Sequence, residues 1–117
     1  MKPALSVDEL GLLNFFAVIP VQRDDNAPWV YNDSAYEVAT GQTQISFAVA
    51  PAEGDVRLRL QVSGIVLYEL NAMGVQDVRL HNDKGREWLE VIISPRQSIR
   101  LRIAPEISVS EKVDDPA

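Results

Sequence analysis

Between Val56 and Ile103 the chain alternates apolar and polar residues with a period of two, and this pattern leaves few folds open. VRLRLQV opens the stretch and IRLRI closes it, with GIVLYEL, DVRL and WLEVII between them. Successive side chains on a strand point to opposite faces. Val56, Leu58, Leu60 and Val62 therefore face a core, while Arg57, Arg59, Gln61 and Ser63 face away. The same parity turns Ile99, Leu101 and Ile103 inward with Arg100 and Arg102 outward, and Val78 and Leu80 inward with Arg79 outward. Helical spacing is absent from the whole block, so a β domain is expected around it.

Upstream, TQISFAVA (43–50) alternates in the same way, with Ile45, Phe47 and Val49 on one face, and a hairpin with 35–39 through the Thr40–Gln42 turn is the simplest pairing. Turn chemistry recurs at 51–55, 71–74 and 94–97, and at HNDKG, where Gly85 supplies a residue with positive φ. After Gly64 the apolar residues fall on both parities. This implies either a bulge or a strand covered on both sides, and coverage of Ile65 and Leu67 by an N-terminal helix is the reading adopted. That helix is expected over about 7–15. Ser6 is its N-cap with Glu9 completing a capping box, Leu5 and Leu10 form a staple, and Leu10, Leu13 and Phe16 make a stripe widened by Leu12 and Phe15. Residues 29–31 are expected to be extended and 107–109 to add an edge segment. The fold class is mainly β, at the margin of α+β: an antiparallel sandwich-like or strongly curled sheet of seven to eight short strands with one short N-terminal helix. Residues 1–110 form one domain and 111–117 an acidic flexible tail.

A chain of 117 residues can bury roughly two-thirds of its unfolded surface in one core. It has no cysteine. Disulfides, thiolate metal sites and a cysteine nucleophile are thereby excluded, and a reducing, cytoplasmic location is the expectation. No apolar run approaches the roughly twenty residues that cross a bilayer, and Asp8, Glu9 and Asn14 interrupt what would be the apolar part of a signal peptide. The net charge of −6 is divided unevenly. Residues 56–104 carry eight Lys/Arg against five Asp/Glu, a net +3, and the rest carries three against twelve, a net −9.

The outward arginines are the first candidate site: Arg57 and Arg59 on one strand, Arg100 and Arg102 on another, with Arg79. Were the two strands neighbours, four guanidinium groups would share one face and demand anions. Internal pairing with Glu69, Glu87 or Glu90 accounts for them most simply. Beyond that, an acidic protein partner fits better than a nucleic acid, because exposed aromatics for base stacking are few and both ends are acidic. The second candidate region holds Asp24, Asp25, Trp29, Tyr31 and Tyr36, where Trp and Tyr supply interface hot-spot chemistry. It lacks the ordered spacing of a calcium loop. His81, the single histidine, has no nucleophile context. The sequence thus points to a non-catalytic interaction or assembly module without cofactor, metal or catalytic residues. It would bind an acidic protein surface or self-associate through a sheet face or edge. A polyanion- or nucleic-acid-binding β domain and a small hydrolase or ligand-binding barrel are the alternatives.

Overall fold

A computed structural model describes residues 5–113, which form two antiparallel sheets and one helix. In the first sheet β1 (Val21–Gln22), β2 (Ser34–Thr40), β3 (Thr43–Ala50), β4 (Asp55–Val62) and β5 (Ile65–Ala72) lie side by side in chain order. The second sheet orders β6 (Asp77–Asp83), β7 (Arg86–Ser94), β8 (Gln97–Arg102) and β9 (Ser108–Val113) likewise. Two-residue turns set the registers. Ser63 and Gly64, and Lys84 and Gly85, all have positive φ, the backbone that matches the right-handed twist of the flanking strands. The mainly β, sandwich-like fold with one short helix is as expected from the alternation.

The inner faces are the expected ones. Ile45, Phe47, Val49, Val56 and Leu58 of the first sheet and Val78, Leu89, Val91, Ile99 and Leu101 of the second form one buried cluster. The helix α1 (Glu9–Phe16) contributes Leu12, Phe15 and Phe16 to it. Phe16 stacks on Tyr36 at 5.0 Å and on Phe47 at 5.4 Å between ring centres. The helix packs against β2 of one sheet and against Leu80 of β6 in the other. A Cβ at Gly11 would lie 2.9 Å from Leu80 Cδ1, so the glycine that weakens the helix is what lets it approach the second sheet.

Several expectations change. The N-cap is Asp8, whose Oδ1 accepts from the Gly11 amide at 2.7 Å, and not Ser6. Leu12 and Phe15 turn to the core, leaving Leu10 and Leu13 at the surface. The helix does not cover Ile65 and Leu67, which are exposed on β5. The mixed parity comes instead from a register shift in β4–β5 pairing between Leu60 and Gln61, opposite residues 66–68. Residues 29–31 make a 3-10 turn rather than an extended piece. Residues 111–113, expected to belong to the tail, complete β9, and the rest of that tail lies outside the described residues.

Ser6 has another task. Its amide and hydroxyl donate to the two carboxylate oxygens of Asp77, at 2.7 and 2.5 Å, and the Val7 amide donates to the Val78 carbonyl at 3.0 Å. The chain ahead of the helix is thereby tied to β6. Burial acts to raise the Asp77 pKa, but the bonds from Ser6, Arg79 and Val78 outweigh it and hold the carboxyl below the usual carboxylate range. A lowered folded pKa gives stability that is complete above the unfolded value and is lost as pH falls through the folded one. Asp77→Asn should cost about 1–3 kcal/mol at neutral pH. In urea melts the gap from wild type should narrow steadily as the solution is acidified below the unfolded carboxyl's pKa. A gap independent of pH would contradict this account.

Candidate interaction faces

Outward arginines on strands of different sheets cannot share a face, because the outer faces of two packed sheets point apart. Arg57 and Arg59 lie on β4 of the first sheet, Arg100 and Arg102 on β8 of the second. The four-guanidinium patch is therefore not formed, since the two alternating segments belong to separate meanders. Arg57 pairs with Asp33, which also holds Arg23 at 3.2 Å. Arg59 Nε donates to Glu69 Oε2 at 2.9 Å from the adjacent strand. The first sheet's arginines are thus largely neutralised from within.

The second sheet's outer face is different. Arg79 of β6, Glu90 of β7, Arg100 of β8 and Ser110 of β9 fall on one rung. The next rung sets His81 opposite Trp88. His81 stacks on Trp88 at 4.9 Å with the rings 15° apart, and its Nε2–H donates to Glu90 Oε1 at 2.9 Å. Arg100 places its guanidinium carbon 5.3 Å from the Trp88 ring centre on the same face. Arg79 Nε donates to Asp77 Oδ2 at 2.9 Å. Among the described residues Arg100 and Arg102 make no ion pair, and Arg102 Nε is buried without an acceptor. The face thus carries an indole flanked by imidazole and guanidinium, with two cations that meet no carboxylate among the described residues.

In the second expected region, Asn32 does the organising and was not singled out in the sequence. It is buried, its Nδ2 donates to the Asp24 and Ala27 carbonyls at 2.6 and 3.1 Å, and its Oδ1 accepts from the Asp24 and Asp33 amides. Tyr36 is fully buried, and burial pushes its hydroxyl pKa up although Trp29 Nε1 donates to it at 3.2 Å. Trp29 is half-buried against the core. Asp24, Asp25 and Tyr31 are exposed, and Asp24 and Tyr31 border a cleft of about 250 Å³ whose other walls include Arg23, Asp33, Asp55 and Arg57. The structure therefore separates the five residues: two aromatics serve the fold, and Asp24, Asp25 and Tyr31 remain at the surface. Asn32→Ala should destabilise the protein by about 2–4 kcal/mol, because the carbonyls and amides it satisfies lose their partner. Thermal melts would measure the loss, and a change within about 0.5 kcal/mol, the ordinary surface range, would contradict it.

No family model matches the chain, and no curated protein matches it. Among solved structures it is similar to a chain of the "Contact-dependent growth inhibition toxin - immunity protein complex from Klebsiella pneumoniae 342". The TM-score is 0.79 and the identity 20%, over 96% of this chain and 98% of that one. At this identity the likeness establishes a shared fold.

Proposed function

We propose that this protein is a protein-binding module that engages an acidic surface of its partner through the outer face of the second sheet. The observation that carries this reading is the arrangement around Trp88. An indole held between His81 and Arg100 offers a rigid, amphipathic anchor, and among the described residues Arg100 and Arg102 pair with no carboxylate. Trp and Arg are the residue types that dominate interface energetics. Arg79, ion-paired with Asp77, and Glu90 complete the same rung beside Arg100. The neighbour from a toxin–immunity complex supports a protein partner. We extend to this chain the part of one member of such a protein–protein pair.

A second reading, self-association, is favoured by β5, an edge strand that exposes Ile65, Val66 and Leu67 in succession. Sedimentation over a range of protein concentrations separates the two, because only self-association gives a mass that grows with concentration. For the first reading, tagged protein is used to capture its partner from source-cell extract, and the purified pair is titrated. Trp88→Ala and Arg100→Glu should each weaken the complex about 30-fold or more, the loss expected at interface hot spots. Arg100 is exposed, so its charge reversal should leave the melting temperature nearly unchanged. Undiminished capture by Arg100→Glu would overturn the assignment of this face.

A further inference from the structure

The helix and the first edge of the first sheet leave a groove that the packing does not explain. Leu10 and Leu13, three residues apart on α1, form one wall, and Leu10 is 65% exposed. Ile19 and Pro20 form the other, with Ile19 at 88% and neighbouring Val21 at 75% exposure. Tyr36 lies at the floor, and the space between is about 320 Å³. Four large apolar side chains left together at the surface are more than scattered exposure accounts for, and such clusters mark docking sites.

Two further features say what would fit. The first is charge. Glu9 stands on the groove's rim, close enough to Tyr36 that its carboxylate helps raise the tyrosine pKa. It makes no ion pair among the described residues. Over residues 5–76 nine acidic residues stand against three basic ones, an excess that favours a basic occupant. The second is the sheet edge. β1 is two residues long and pairs only Val21 with Ala35 and Gln22 with Ser34. From Tyr36 to Thr40, β2 therefore has β3 on one side and, among the described residues, no strand on the other, and such an edge accepts an extended chain.

We propose that this groove binds an extended, basic–apolar segment of a partner protein, laid beside β2, with alternate apolar side chains between Leu10/Leu13 and Ile19/Pro20 and a Lys or Arg against Glu9. The site goes beyond the second-sheet face, and its occupant has the opposite charge.

The test uses the full 117-residue chain and a fluorescein-labelled, end-blocked heptapeptide, Lys-Val-Thr-Val-Thr-Val-Lys, with a counterpart ending in Glu at both termini. Saturable anisotropy is expected for the Lys-ended probe, at least tenfold weaker for the Glu-ended one. Amide chemical shifts should move in residues 9–13, 19, 21, 22 and 36–40. The double variant Leu10→Lys, Ile19→Lys replaces exposed residues, so it should keep the wild-type melting temperature and lose binding at least tenfold; should it melt lower, Glu9→Lys gives the same readout from a single exposed site. Absence of saturation, equal binding of the two probes, shifts confined to other residues, or a concentration-dependent dimer that the double variant abolishes would each overturn the proposal. Because the Lys-ended probe carries no acidic residue, its failure leaves the Trp88 face untouched, and failure of that face leaves this result standing.

Discussion

Everything in this molecule depends on two facing rows of apolar side chains that exclude water from between the sheets. Ile45, Phe47, Val56 and Leu58 oppose Val78, Leu89, Val91, Ile99 and Leu101. Each large side chain buried in this way contributes about 1.5–3 kcal/mol relative to exposure. That drive fixes parity along every strand, since a slip of one residue would exchange the whole inner row for arginines, glutamates and serines. The same parity creates the surfaces: once Leu89 and Val91 are inward, Trp88 and Glu90 must be outward, and the polar rungs of the second sheet follow without further specification.

The turns explain why much of this was legible. With Lys84 and Gly85 as a two-residue hairpin turn, counting outward pairs Asp83 with Arg86, His81 with Trp88 and Arg79 with Glu90. The pairing of His81 with Trp88 and of Arg79 with Glu90 was therefore derivable from that turn alone. What periodicity does not encode is sheet membership. VRLRL and IRLRI have the same pattern whether they are neighbours or lie in different layers, and the energy that separates them comes from distant packing. The double-parity run at Ile65–Leu67 failed for a related reason. A bulge and two-sided coverage produce the same string of letters, and only the shift opposite Leu60 and Gln61 distinguishes them.

Capping was misread for a different physical reason. Ser6 and Asp8 are both good N-caps by intrinsic preference, and the choice between them was made by Asp77, seventy-one positions from Ser6. Asn32 reads in the sequence as one more polar residue of the Asp24–Tyr36 stretch because its value lies in burial: an asparagine in a polar loop looks ordinary until four backbone groups converge on its amide. In both cases a local preference is overridden or amplified by groups that sequence distance conceals.

The order of strands has a consequence for how the chain reaches this state. Both sheets are plain meanders, with no strand crossing over another and only residues 73–76 joining one layer to the next. Most ladder contacts thus close loops of a few residues to about fifteen, and short loops cost little entropy to close. Such low contact order predicts folding nearer milliseconds than the seconds typical of sandwiches built from long crossover connections. Each layer can zip from its own hairpins, and the late event is their collapse onto each other with α1 bridging β2 and β6.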